Sequence, residues 1–233
     1  MIDAAVVVPH PPLLLRELTG LHDVAADLRA ACLAALGEAL RTAPDTVVVV
    51  AGADQAGRWD AALPVDVHRF GTTHAPRVSG LPLGLGVARR LLDEAGWTGR
   101  TDLRTVAWDA DPADVTALAA GVADRPDRVV LLVLGDGSAR RGEKAPGYLD
   151  ERAFAFDDEI GRALAAGDAA ALEKVDPDLA ADLMVLGRAA FAVLGAAVGR
   201  QGHPPRPRVL YADDPFGVMY HVALWDLVTP AGA

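Results

Sequence analysis

The sequence predicts an α/β fold: one domain over residues 1–233, a sandwich whose central sheet is mostly parallel or mixed and covered by helices. Three observations carry this expectation. Short β-branched apolar runs recur along the chain, at residues 2–8, 46–50 and 128–134. Amphipathic helical stretches separate them, and two such strands joined by a helix make a βαβ unit, hence a parallel pair. Each run ends in a polar or glycine-bearing loop.

Residues 2–8 read as a buried strand stopped by the rigid turn Pro9-His10-Pro11-Pro12. A helix is expected over 21–41, where Leu21, Val24, Ala25, Leu28, Ala31, Cys32, Ala35, Leu36 and Ala39 fall at steps of three and four. Cys32 lies inside that stripe as a small buried hydrophobe. Residues 46–50 contain four consecutive valines and open into Ala51-Gly52-Ala53-Asp54. Weaker strands are expected at 65–70 and 105–107, with a helix over 83–95 between them. Asp111-Pro112 supplies an N-cap and a proline at the first helical position, starting a helix to about residue 122. The strand at 128–134 leads into Gly135-Asp136-Gly137-Ser138 and then into a helical region: 153–166, a short helix from Asp168, and one long helix from Asp176-Pro177 to about residue 198. The prolines of Gly202-His203-Pro204-Pro205-Arg206-Pro207 predict a loop. A fourth strand at 208–211 ends in Ala212-Asp213-Asp214-Pro215-Phe216-Gly217, and a final one spans 219–227, so an antiparallel strand is expected near the end.

Composition narrows the function classes. Against 32 Asp and Glu stand 22 Lys and Arg, a formal net charge of −10, which argues against a nucleic-acid partner. Aromatic residues are 5% of the chain, so platforms for stacking bases or sugars are scarce. The one cysteine excludes an internal disulfide, a thiolate zinc cluster and a paired-cysteine redox motif, and fits a reducing compartment. No basic segment precedes an apolar run at Met1-Ile2-Asp3, and no stretch approaches about 18 uninterrupted apolar residues. The expectation is a soluble, cytoplasmic protein with no membrane partner.

In open α/β sheets ligands bind beyond the carboxyl ends of the strands. Parallel strands would bring the segments 9–12, 51–55, 135–141 and 213–217 to one edge. His10 is the most informative side chain in that set, because a neutral imidazole can ligate a metal or carry a proton; it can equally pack in its proline turn, bonded to backbone. Gly135 to Gly142 resembles a phosphate cradle with Arg140 and Arg141, without the spacing of a P-loop or a dinucleotide-binding turn. Arg140, Arg141 and Lys144 would form a small basic rim there. Asp157, Asp158 and Glu159 read as an acidic patch at a helix start. His221 reads as a strand histidine, His68 and His74 could reach the edge of the site, and His22 and His203 read as surface positions.

These residues also carry a resemblance. Val8-Pro9-His10-Pro11-Pro12-Leu13-Leu14 is similar to the opening motif of the class III extradiol ring-cleavage dioxygenase subunit-B superfamily, to which the Memo-like proteins belong. Gly135-Asp136-Gly137-Ser138-Ala139-Arg140 resembles that superfamily's Gly-Asp-x-Ser-His-Arg segment, and residues 145–177 follow the spacing seen after it. Tyr211-Ala212-Asp213-Asp214-Pro215-Phe216-Gly217-Val218 resembles its closing Tyr-x-Glu-x-Pro-Phe-Gly-Val motif. The resemblance implies a subunit-B-like fold, a pocket for a small aromatic or anionic molecule, and a homodimer as a recurrent assembly. In active members two histidines and a glutamate hold a non-haem Fe(II), and a further histidine acts as acid and base.

Carried over position by position, the first histidine is His10. The second falls at Ala53, beside Asp54; the glutamate position holds Asp213, beside Asp214; the acid/base position holds Ala139. Alanine offers neither lone pair nor proton, so both halves of the ring-cleavage apparatus are affected. The resemblance therefore implies a divergent member that keeps the pocket, with Ser138, Arg140 and Asp214 toward substrate, and with iron chemistry lost or altered. Two alternatives stay open: a working metalloenzyme on His10, Asp54 and Asp213, whose oxygen-rich set suits Mn²⁺, Mg²⁺ or Zn²⁺ as well as Fe(II), or a non-catalytic binding or scaffold protein.

Overall fold

The structure is a computed structural model that describes residues 1–19, 22–70 and 80–228. In chain order it contains β1 (Ile2–Val8), α1 (Arg16–Thr19), α2 (Ala26–Leu40), β2 (Thr46–Ala53), β3 (Gly57–Trp59), α3 (Leu83–Glu94), β4 (Arg100–Ala107), α4 (Pro112–Ala123), β5 (Val129–Leu134), α5 (Arg152–Ala166), α6 (Ala169–Glu173), α7 (Pro177–Asp182), α8 (Arg188–Gly199), β6 (Arg206–Asp213) and β7 (Tyr220–Asp226). The strands form one seven-stranded sheet among the described residues, in the order β3-β4-β2-β5-β1-β7-β6. β4, β2, β5 and β1 are parallel neighbours; β3 joins β4 antiparallel, and the β6–β7 pair joins β1 antiparallel.

The valine runs follow from helices on both faces. Val47, Val49 and Ala51 pack with α2 and α3, while Val48 and Val50 pack with α4 and α8 on the opposite face. A strand covered twice needs apolar side chains at every position, so β1, β2 and β5 are buried along their whole length. Because β6 runs antiparallel to β7 and β7 antiparallel to β1, the carboxyl end of β6 lies at the same edge as those of β1, β2 and β5. The four loops expected to converge do share that edge.

Several elements differ from the sequence reading. The helix expected over 21–41, α2, begins at Ala26, preceded by an Asp23 carboxylate that accepts the Ala25 N–H; Val24 is exposed, and Leu21 lies outside the described residues. Residues 65–70 are not a strand: Val65 makes a single bridge to Leu81, and His68–Phe70 is a 3-10 turn. Thr105 to Ala107 is the end of the longer β4, and the short edge strand β3 has too few residues to show a period. Arg206 and Pro207 belong to β6, which tolerates proline because it is an edge strand with an unpaired side.

The expected long helix over 177–198 is two helices, and the cause is tertiary. The Leu183 carbonyl accepts the Ser138 hydroxyl at 2.8 Å and the Ala139 N–H at 3.2 Å, while the Gly187 N–H donates to the Asp136 carbonyl at 2.9 Å. Met184 turns through the left-handed region at φ 56°. A Cβ on Gly187 would stand 2.6 Å from the Asp136 carbonyl oxygen, so no side chain fits where α8 meets the loop after β5.

Gly187→Ala is expected to destabilise the fold by about 1–3 kcal/mol through overpacking. Gly121→Ala, in α4 with nothing within 4 Å of the new methyl, is expected to stabilise it by about 0.5–1 kcal/mol. Urea unfolding midpoints at constant m-value check both, and equal midpoints for the two variants would contradict the close approach.

Candidate functional site

His10 follows the end of β1 and is 3% exposed. Its position is set by a neighbour in space. The Asp136 Oδ1, beyond the end of β5, accepts the His10 main-chain N–H at 2.8 Å and lies 3.4 Å from the ring Nδ1. Burial pushes the Asp136 carboxyl up, opposed by the nearby imidazole. From below, the buried Arg29 of α2 donates to the carbonyls of Leu13 and Leu14 and pairs with Asp23, fixing the turn that follows His10.

The His10 ring faces Trp108, stacked at 6.3 Å between centroids. The two rings help line a cleft of about 190 Å³ with Gly52, Ala53, Asp54, Phe70, Pro82, Leu83, Gly84 and Leu186. Trp108 lies over the end of β2 because Gly52 has no side chain: a Cβ there would sit 2.3 Å from the indole. The indole Nε1–H donates to Asp54 at 3.1 Å. His10 and Asp54 therefore share one cleft, with Ala53 beside them.

Asp213 does not join them. It ends β6, four strand positions from β2 and so about 19 Å away at the usual ladder spacing. It lines a separate cleft of about 220 Å³ with Asp27, Tyr211 and Phe216, and its Oδ1 accepts the Asp214 N–H. Among the described residues no three His, Cys, Asp or Glu side chains are placed to hold a metal ion. The expected His10, Asp54 and Asp213 set is corrected accordingly: a facial Fe(II) site needs three converging donors, and the cleft offers an imidazole and one carboxylate already engaged by an indole.

The loop after β5 is likewise not a phosphate cradle. Its N–H groups are taken internally: Gly137 by Met219 O, Ser138 by Asp157 Oδ1, Ala139 by Leu183 O, Arg140 by Ser138 Oγ and Arg141 by Gly217 O. The glycines serve packing, for a Cβ on Gly135 would lie 2.7 Å from Gly187 Cα and one on Gly137 2.6 Å from Asp157 Oδ1. Ser138 is sealed from solvent, so the substrate-side role expected for its hydroxyl is replaced by a structural one. Asp214 pairs with Arg141 at 2.5 Å, and Arg141 also reaches Asp157 at 3.3 Å and stacks 4.5 Å over Phe154. Of the expected basic rim, Arg141 is thus neutralised; Arg140 is half-buried with its Nε unpartnered, and Lys144 is exposed. Ala139 packs at the edge of the α2-side core.

Asp157 is a buried anchor instead of part of a surface patch, and its burial raises its pKa to about 6. His221, on β7, is also buried; neither ring nitrogen has a hydrogen-bond partner, and burial together with Arg141 lowers its pKa to about 4. Gly161 of α5 leaves it room, with a built Cβ 3.3 Å from the ring. Cys32 is fully buried, as expected, with its thiol pushed up to about 12 by desolvation. His22 is exposed and His203 partly so; His68 sits in the 3-10 turn, and His74 lies outside the described residues. The residues that sequence reasoning missed are Asp136 and Trp108. Asp136 stood inside a motif read for its glycines, and Trp108 carries no motif; only strand adjacency brings either to His10.

No family model matches the chain, and no curated protein matches its sequence. Among solved structures it is similar to the uncharacterized protein JW3007 from Escherichia coli K12, with a TM-score of 0.53 and 13% identity over 96% of this chain and 99% of that one. At that identity the likeness concerns the fold. The α/β architecture with a mostly parallel core is therefore shared across both chains almost end to end. No helix among the described residues is long and apolar enough to cross a membrane.

Two opposed pH effects follow from the buried pair of ionisable groups. His221 falls from an ordinary 6.5 to about 4 on folding, so its contribution is full above pH 6.5 and is lost as pH falls toward 4. Asp157 rises from 3.8 to about 6, so its contribution is full below pH 3.8 and is lost as pH rises toward 6. His221→Leu removes the first effect alone. The variant is expected to gain stability relative to the parent between pH 6.5 and 4, by up to about 3 kcal/mol; parallel stability curves for the two proteins would contradict this.

Proposed function

We propose that this chain is a divergent extradiol-dioxygenase-like protein that has kept the family's pocket as a binding cleft for a small aromatic or anionic molecule, without the iron-dependent ring cleavage. The observation that carries the reading is the cleft itself. His10, the one family histidine retained, lines it beside Trp108 and Asp54, held by a buried Asp136, while Ala53 and Ala139 stand where ligand and acid/base histidines would be required. The in-order motifs from Val8 to Val218 support the descent; the donor set in the cleft supports the loss. In this reading the chain's own residues bind and orient: Trp108 and Leu186 offer apolar walls, His10 and Asp54 polar contacts.

The direct test is anaerobic reconstitution with Fe(II), followed by a catechol panel and oxygen measurement. No oxygen uptake and no ring-opened product are expected, and rapid cleavage would overturn the reading. A companion measurement is ligand binding by His10→Ala and Asp136→Asn. Each is expected to weaken cleft ligands by about tenfold, the scale of one lost or misplaced buried hydrogen bond. Unchanged affinity for both variants would place binding elsewhere on the molecule.

A further inference from the structure

We infer that a cavity between α5 and the short helices α6 and α7 is a second binding site, which takes an apolar α-amino acid with its side chain inward and both of its charges at the rim. The cavity shares no lining residue with the His10 cleft, so the inference stands apart from the binding-cleft reading above.

The cavity follows from how this layer is built. Phe156, Ile160 and Ala163 fall at steps of four and three on α5 and form one apolar stripe facing the core. α6 is seated on α8, where a Cβ on Gly195 would stand 2.3 Å from the Ala169 carbonyl oxygen. It has only five residues, and Asp176-Pro177 starts α7 afresh, the Asp176 Oδ1 accepting the N–H groups of Asp178 and Leu179 at 2.9 and 3.1 Å. Two such short helices leave a gap against the α5 stripe. Phe156, Ile160, Ala163 and Leu172, all buried, line the resulting space of about 460 Å³, with Leu179 half-buried at its wall. Small-molecule sites are cavities of about 300–1,000 Å³ with mostly apolar walls and a few polar groups that fix orientation.

The rim supplies the recognition chemistry. Glu159 of α5, Lys174 at the end of α6 and Asp176 line the same cavity and are exposed. Among the described residues neither the Lys174 ammonium nor the Glu159 carboxylate has an ion-pair or hydrogen-bond partner, whereas Asp176 already serves as the cap of α7. A ligand carrying a carboxylate alone would meet two carboxylates here, and one carrying an ammonium alone would meet Lys174. A zwitterion is complementary to both signs, with its carboxylate toward Lys174 and its ammonium toward Glu159 and Asp176. An α-amino acid holds those two charges on one carbon. An apolar side chain on that carbon then enters the space lined by Phe156, Ile160 and Leu172, where burial contributes the affinity that exposed ion pairs by themselves do not.

The probe is L-phenylalanine, compared with 3-phenylpropionate, which lacks the ammonium, and phenethylamine, which lacks the carboxylate. Each is titrated into the full chain and followed by ¹H–¹⁵N correlation spectra. L-Phenylalanine is expected to move the amide resonances of Ile160, Leu172 and Leu179, and to bind at least about threefold more tightly than either analogue, the scale of an ion pair at an exposed rim. Lys174→Ala should weaken L-phenylalanine by a similar factor and leave phenethylamine no weaker; Glu159→Gln should weaken L-phenylalanine and leave 3-phenylpropionate no weaker. Absence of any response at these amides overturns the site, as does a response confined to His10 and Trp108. An analogue that binds as tightly as L-phenylalanine overturns the zwitterion, and parental affinity in both variants does the same. The comparison of the three probes in the unmodified protein decides the matter even if a variant does not fold, and none of these outcomes bears on catechol cleavage or on ligands of the His10 cleft.

Discussion

One carboxylate organises the functional edge of this molecule. Asp136 leaves the end of β5 and binds the His10 main-chain N–H, so the loop after β1 is tied to the loop after β5 by a side chain and not by the ladder. Its own carbonyl accepts the Gly187 N–H, which ties the same point to the start of α8. Removing such a group from water is costly, and the cost is offset because Oδ1 and the carbonyl both receive donors. The position of His10 in the cleft is a consequence of this junction.

The rest of the loop after β5 shows the same economy. A stretch with the look of an anion cradle spends its N–H groups on Met219, Asp157, Leu183, Ser138 and Gly217, and its glycines on close approach to Gly187 and Asp157. Arg141, facing two carboxylates and an aromatic ring, closes that side of the molecule. Among the described residues, the N–H groups at the start of α3 have no such partner. Polar groups that form part of a satisfied network rigidify a fold.

On the proposed reading His10 keeps a family histidine position while Ala53 and Ala139 fill two others, and the geometry of the cleft bears on that proposal. Asp54 is next to Ala53 and is held by Trp108; Asp213 lies across the sheet in its own cleft. Two donors in one cleft and a third in another cannot act as one coordination sphere. What persists is a concave site at the carboxyl edge of a parallel sheet, the place such folds offer a ligand irrespective of chemistry.

The α/β class, the buried strands and the convergence of four loops on one edge were legible in the sequence, because apolar runs such as Val47 to Val50 report burial on both faces and proline or glycine marks where strands stop. The placement of Cys32 in a buried stripe was legible for the same reason. The division of residues 177–198 into two helices was not, since the Leu183 carbonyl is drawn off by Ser138 and Ala139, residues more than forty positions away. Nor was the neighbour of His10: the resemblance pointed to Asp54, beside Ala53, and to Asp213 as its companions, but strand order put Asp136 beside it. Periodicity and burial are local properties that a chain displays residue by residue. Which carboxylate meets which imidazole depends on which strands are neighbours, and that is decided only when the whole sheet is assembled.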